Sequence, residues 1–335
     1  MARGHQVTLV TLQPRGIVTR DEISGIRVRY VHVPQPGRPR PRYGLDEITM
    51  FALPAFASSA TATADVIHCW HYVDAAAVVR RGRPLLLKIT GSITPEWIKR
   101  TPLQDRLLRR GLRRPDGVWC NSEWVRSQMS GFGRPMDVVP AGVDRDLFRP
   151  VAERSAGPTV LSTCAPNEPR KRLTDLVDAW PRVRAAVPDA RLRLAGDASP
   201  DLVDALLSRI PEPDRGSIRF LGSLDTADLA GEYSSAWVSV MPAVLEALGL
   251  STLESLACGT PVVGADSGTT AALLADPAAG RLFRPAEPDD LARAVIEQLA
   301  ATDRVDRDRC RGLTDAYDWE RITDRVEAAY LALAG

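Results

Sequence analysis

Residues 237–263, WVSVMPAVLEALGLSTLESLACGTPVV, constrain the chain more than any other stretch. An apolar strand over 237–241 leads into a loop with Pro242 and Glu246, a turn at Gly249 and Leu250, a helix from Ser251, a stop at Gly259 and a second apolar strand. Strands alternating with helices in this way require parallel pairing with helices on the sheet faces.

The loop between strand and helix has a definite electrostatic character. Backbone N–H groups without partners and the positive end of the helix dipole converge where Gly249, Leu250 and Ser251 open the helix, a setting that suits a phosphate. Gly249 lacks a Cβ, so the backbone can approach a ligand closely. Glu246 and Glu254, with seven residues between them, can flank one anion site, where carboxylates serve as acceptors for sugar hydroxyls. A second reading stays open: Ser251 and Glu254 also fit a capping box, S-x-x-E, with Glu246 as a solvated loop residue.

The segment EALGLSTLESLACGTPVV resembles the E-x7-E motif of the retaining glycosyltransferases of the GT-B fold, family 4 type, in which it reads EGFGLPxLEAMACGTPVV. The resemblance implies that Glu246 contacts hydroxyls of the donor sugar and Glu254 the nucleotide ribose.

Composition narrows the alternatives. At 335 residues the chain is long enough for two domains, and a formal net charge of +1 gives no global basic field of the kind that marks a nucleic-acid binder. The five cysteines, Cys69, Cys120, Cys164, Cys258 and Cys310, are odd in number and scattered, which argues against a disulfide framework or a zinc site and fits a reducing cytoplasm. No apolar run reaches the length of a membrane span. The N-terminus lacks the order of a signal peptide.

The opening MARGHQVTLVT reads as the end of a helix, a Gly-His turn and a strand over 6–12. It resembles the family's RGHxVxVVT, which marks a second strand, so the chain as given is expected to begin about 20 residues downstream of the usual domain start, the length of one strand, Gly-rich loop and helix. Residues 26–33 alternate as a strand, 34–42 form a proline-rich loop and 45–61 carry a helical pattern. DVIHCW is a strand with His68, Trp70, His71 and Tyr72 at its carboxyl end, where open α/β sheets bind ligands. His68 is read as packing in the core and His71 as an acceptor-side candidate. PLLLKIT is a buried strand ending at Thr90 and Gly91. The family often has His-Gly there; Thr90 departs from it, leaving a hydroxyl and the Gly91 N–H for a sugar oxygen. A strand ending at Ser122 follows, and MDVVPAGVDRDLFRP resembles the family's exit from the first domain, with Ala141 replacing an asparagine. Residues 99–114 are locally basic with interleaved leucines, suited either to weak contact with an anionic membrane surface or to a helix with one solvated face.

The second half opens with a strand over 159–164 and the loop APNEPRKRLTDLVDAW. The family places an arginine and a lysine here against the donor diphosphate, whose charge grows as the leaving group departs. Lys171, one of only three lysines, matches the lysine by position. Pro166 or Glu168 stands where the arginine would be, and Arg170 or Arg172 can substitute; the other reading is a solvated basic loop. SIRFLG ends at Gly222 beside an expected base-binding turn, and residues 264–272, GADSGTTAA, resemble the family's loop after the next strand. YDWE resembles the family's F-S-W-E, which precedes a helix returning to the first domain.

The expected fold is α/β: GT-B, two Rossmann-like domains with parallel sheets facing a central cleft. Its domains are 1–152 on the acceptor side, 153–315 for the nucleotide sugar, and a C-terminal helix over 316–335. The expected reaction moves a sugar from a nucleotide-diphosphate donor to a hydroxyl or amine acceptor with retention, without a metal and with no cofactor beyond the donor as co-substrate. Glu246 and Lys171 are the catalytic candidates; Glu254, Arg170, Arg172, Gly249, Leu250, Ser251 and Gly222 bind the donor. His71, Thr90, Gly91 and Ser122 face a small-molecule, lipid or glycan acceptor. The expected location is cytoplasmic, peripheral to the inner membrane face if residues 99–114 engage it. Two other classes remain: a nucleotide-sugar epimerase or hydrolase on the same fold, and a truncated, non-catalytic sugar-nucleotide-binding protein.

Overall fold

The computed structural model describes residues 3–13, 20–32, 51–91, 102–163, 166 and 168–335. The expected loop at 34–42 and the first part of the expected helix at 45–61 lie outside these residues; the helix runs Leu53–Thr61. The chain divides into two compact units, one of Met1–Val139 with Glu327–Gly335 and one of Pro140–Val326.

In the first unit, β1 (Thr8–Gln13) pairs in parallel with β3 (Ile26–His32). The strand β2 (Arg20–Ile23), which no alternation in the sequence announced, runs antiparallel to β3. Ser24 at φ 51° and Gly25 at φ 78° join these two, the paired positive φ values of a tight hairpin turn. A second sheet has the order β4 (Ile67–Cys69), β5 (Leu85–Ile89), β6 (Gly117–Cys120), β7 (Asp137–Val138), all parallel. The helices Tyr72–Ala77 and Pro102–Arg113 pack so closely that a Cβ on Gly111 would lie 2.2 Å from the Tyr72 carbonyl oxygen. Glycine is therefore a packing requirement at 111.

The second unit is a doubly wound sheet of six parallel strands: β8 (Thr159–Thr163), β9 (Arg191–Ala195), β10 (Ile218–Gly222), β11 (Val238–Met241), β12 (Val262–Ala265) and β13 (Gly280–Phe283). Their spatial order is β10-β9-β8-β11-β12-β13. Successive residues face opposite ways, so each strand feeds two cores. Val160, Val240 and Val263 join one with the helices Leu173–Ala186 and Pro288–Ala300; Leu161, Met241 and Val262 join the other with Tyr233, Leu253 and Leu256. Burial on both faces is why these strands read as apolar runs. Trp180, fully buried, donates its indole N–H to Ser217 Oγ at 2.8 Å, leaving no orphan donor there.

The division falls at Val139, ahead of the boundary at 152 drawn from the sequence. Val143 and Phe148 pack into the second unit's core, and Val143 bridges to Asp318. The helix Trp319–Ala334 contributes its last turns to the first unit, where Glu327 accepts from Arg3 and Tyr330 OH lies 2.6 Å from His68 Nδ1.

Candidate donor site

The strand order reverses between β8 and β11, and ligands of doubly wound sheets bind outside the carboxyl ends of the strands at that switch point. The loop after β8 closes with a 3-10 turn, Pro169–Lys171, and Arg172 at φ 50°. This turn sends two cations to one carboxylate. Glu246 Oε1 accepts from Lys171 Nζ at 2.6 Å and from Arg170 Nη1 at 3.1 Å, and Arg170 Nε is held at 2.9 Å by Glu168 Oε1. Arg172 goes elsewhere: its Nε and Nη2 make a forked bond to Asp175 at 2.6 and 3.1 Å. Of the two proposed substitutes for the missing arginine, Arg170 is thus the one brought to Glu246.

The Glu246 loop leaves β11 and turns at Leu245, which takes φ 56° without being glycine. Such a conformation persists only where the surroundings impose it. The loop after β12 supplies them. Ser267 Oγ accepts from Leu245 N at 3.1 Å, Thr269 N donates to Glu246 O at 2.9 Å, and Thr269 Oγ1 donates to Ala247 O at 3.0 Å. Gly268, at φ 64°, lies so close that a Cβ there would sit 2.7 Å from Glu246 N and O. The resemblance over residues 264–272 implies no role for Ser267, Gly268 or Thr269.

Gly249 adopts φ 81°, ψ 52° and stands at the N-cap of the helix Leu250–Ala257 without any side-chain cap bond. Its glycine is explained by this left-handed conformation more than by space. Ser251 therefore lies inside the helix, and the capping-box reading of Ser251 and Glu254 fails. Glu254 Oε2 instead accepts from Tyr233 OH at 3.1 Å, whose oxygen lies 2.7 Å from Thr163 Oγ1. Burial raises the Glu254 carboxyl above the ordinary range, and the Tyr233 hydrogen bond opposes that rise. Tyr233 is fully buried, and burial together with the Glu254 charge pushes its phenol well up. In the sequence it only ends a helical stretch over 225–233, with no motif around it.

Gly222, at φ 68°, ends β10 two strands from β8, and its carbonyl accepts from Gly196 N at 2.8 Å. It is not among the groups that converge on Glu246.

In the first unit, His71, Thr90, Gly91 and Ser122 follow β4, β5 and β6 at their carboxyl ends. Two of them work as helix caps. His71 Nδ1 accepts from Val73 N at 3.4 Å, its ring stacking on Phe51, and Ser122 Oγ accepts from Val125 N at 3.3 Å. Thr90 and Gly91 are exposed, and Asn121 Nδ2 donates to Thr90 O at 3.0 Å. His68 is packed as expected: burial and Lys88 pull its imidazole down to about 4, so it is neutral around neutrality. In the helix Pro102–Arg113, Leu108 and Leu112 are buried and Arg106, Arg109 and Arg113 exposed, so its outer face offers charge without apolar anchors.

Residues 157–301 match the family described as glycosyl transferases group 1, and residues 1–147 match glycosyltransferase family 4. The phosphatidyl-myo-inositol mannosyltransferase of Mycobacterium tuberculosis is 32% identical over 63% of this chain and 57% of its own length. The D-inositol 3-phosphate glycosyltransferase of Geodermatophilus obscurus is 34% identical over 59% and 47%. The chain spans about half the length of these relatives. Among solved structures, sucrose-phosphate synthase from Thermosynechococcus elongatus superposes with a TM-score of 0.81 at 22% identity, covering 99% of this chain and 90% of that one. Anabaena HepE in complex with UDP-glucose gives 0.74 at 18%, covering 98% and 100%. Both halves of the chain are thus glycosyltransferase domains, a family 4 domain followed by a group 1 domain, in the GT-B fold of the solved relatives.

Proposed function

We propose that this protein transfers a sugar from a nucleotide-diphosphate donor to a hydroxyl of an inositol-phosphate-type acceptor, with retained anomeric configuration and without a metal. The observation that carries the reading is the meeting of Lys171, Arg170 and Glu246 beside the uncapped helix end at Gly249, at the switch point of a doubly wound sheet. Two cations and a helix N-terminus match the charge of a diphosphate, and Glu246 supplies an acceptor for sugar hydroxyls. The acceptor class rests on the relatives' names, phosphatidyl-myo-inositol and D-inositol 3-phosphate.

In this reading the bond from the anomeric carbon to the phosphate oxygen breaks, and its electron pair leaves with the nucleotide diphosphate. The acceptor oxygen bonds to the same face of that carbon, and its proton passes to the departing phosphate. Lys171 and Arg170 stabilise the charge that grows on the leaving group, which is where a preorganised cation lowers the barrier. We place the protein in the cytoplasm, in keeping with four described cysteines that are buried and unpaired, with membrane contact limited to charge at Arg106, Arg109 and Arg113.

The test is an assay of UDP- and GDP-sugars with inositol phosphate, with phosphatidylinositol vesicles and with no acceptor, in chelator, reading the product anomer by NMR. Acceptor-dependent transfer with retention supports the reading; donor turnover without acceptor would indicate an epimerase or hydrolase instead.

A further inference from the structure

We infer that Tyr233 is a positioning residue for the nucleotide ribose: its hydroxyl holds Glu254 Oε2, so that one carboxylate oxygen is fixed and the other is left to accept from the ribose. The inference rests on the donor-site reading above, in which Glu254 meets the ribose.

The geometry gives the hydroxyl a direction. An ionised Glu254 can only accept, so the 3.1 Å contact uses the Tyr233 proton. Tyr233 oxygen then accepts from Thr163 Oγ1 at 2.7 Å, with Ser251 as a further hydrogen-bonding neighbour. Thr163 is the last residue of β8, so the chain of bonds ties the Glu254 carboxylate to the strand end at the switch point. Cooperative donation along such a chain strengthens each bond in a buried setting. No exposed side chain carries this load: Tyr233 is fully buried, and its ring meets Phe148 edge-on at 6.1 Å.

The hydroxyl also favours the charged form of Glu254. Burial raises that carboxyl, the Tyr233 bond lowers it, and the neighbouring groups do little else. Cys258, one turn on, is a thiol pushed up to about 12 and stays uncharged. Arg307 and Arg311 direct their guanidinium groups to the carbonyls of Cys258 and Ala257 at the far end of the helix. Removing the hydroxyl leaves the carboxylate buried without its donor, which favours the neutral form.

The experiment is calorimetric titration of the parental protein, Tyr233→Phe and Glu254→Gln with UDP and GDP and with their 2′,3′-dideoxy counterparts, from pH 5 to 9. For whichever ribonucleotide the parent binds, Tyr233→Phe is expected to weaken affinity about tenfold near neutrality. The rise of affinity with pH should also shift upward, while dideoxynucleotide affinity stays as in the parent. In the Glu254→Gln background Tyr233→Phe should add little. Equal weakening of ribo- and dideoxynucleotide, or an unmoved pH profile, would reduce Tyr233 to a packing residue and overturn the inference. If the parent itself binds both nucleotides equally, the ribose contact fails and the inference fails with it. That result is visible in the parent alone, before any variant is compared.

Discussion

Lys171 Nζ and Glu246 Oε1 lie 2.6 Å apart, with Arg170 Nη1 at 3.1 Å from the same oxygen. The two cations proposed for the donor diphosphate and the carboxylate proposed for the donor sugar therefore pair with one another. Under the proposed donor reading, a diphosphate entering this loop competes with Glu246 for both cations. Under the same reading the carboxylate then turns to the sugar hydroxyls, which would let one side chain couple binding of the phosphates to recognition of the sugar.

From this follows a prediction for Glu246→Gln. The neutral amide competes poorly for Lys171 and Arg170, so the bare nucleotide diphosphate should bind several-fold tighter than in the parent. Both side chains are partly solvated, which keeps the gain to about 1 kcal/mol. Transfer should fall by roughly ten- to a hundredfold, the loss of a charged acceptor worth about 1.5–3 kcal/mol. Calorimetry with UDP or GDP and single-turnover transfer check the two arms. Weaker diphosphate binding in this variant would mean that the ion pair holds the loop in shape instead of guarding it.

Lys171→Ala is expected to act on the other side of the reaction. The charge it faces grows as the glycosidic bond breaks, so kcat should drop more than donor affinity does. Arg170 remains on the loop and, under the proposed reading, continues to meet the ground-state phosphates. Rapid-quench turnover compared with donor titration gives the ratio; equal losses in both would assign Lys171 to binding alone.

Strong local patterns carried the reading of the second unit from the sequence. The apolar runs of β8, β11 and β12 and the glycine at 249 mark the sheet and its switch-point loop, and the charged residues near them are few. What escaped was decided across the chain. The hold on Leu245 and Glu246 comes from Ser267, Gly268 and Thr269, on a different strand's loop. The Tyr233 hydroxyl meets Glu254 across two helices, a relation that no spacing encodes. Arg170 and Arg172 look equivalent in the sequence. Asp175, one helical turn on, takes Arg172 and so decides between them. In the first unit, His71 and Ser122 carry visible helix-capping bonds, which their residue types allowed but their position at strand ends obscured.

The stability of the first unit should depend on pH through two partly buried groups of opposite sign. Burial raises the Asp74 carboxyl to about 7, so its contribution is fully present below its unfolded value and is lost as pH rises through 7. His68 is depressed to about 4, chiefly by burial and then by Lys88. Its contribution is present above the unfolded 6.5 and is lost as pH falls through 4. Between these limits the two slopes oppose each other in the parent. Asp74→Asn should remove one of them, leaving stability that climbs from pH 4 to 6.5 and exceeds the parent's at pH 8. Urea midpoints across that range decide the matter, and an Asn variant that tracks the parent at every pH would show that Asp74 reaches solvent.

Gly268→Ala tests whether the loop after β12 sets the position of Glu246. Two penalties act together at this residue. The backbone has φ 64°, which costs an L side chain about 1 kcal/mol, and the added Cβ would lie 2.7 Å from Glu246 N and O, atoms of a backbone that cannot swing aside like a side-chain end. Leu245 already sits in a strained conformation on the other side of Glu246, so the loop has little room to absorb the push. The expected result is a folded protein, destabilised by about 1–3 kcal/mol, in which transfer is lost far more than the stability change explains. Because the displaced residue is Glu246, the loss should appear in the sugar-dependent step, with affinity for UDP or GDP kept near the parental value. A thermal melt, a nucleotide titration and a single-turnover assay on the same preparation separate these effects. Parental transfer by Gly268→Ala would mean that the Glu246 loop tolerates displacement, and that its carboxylate does not need the position the loop gives it.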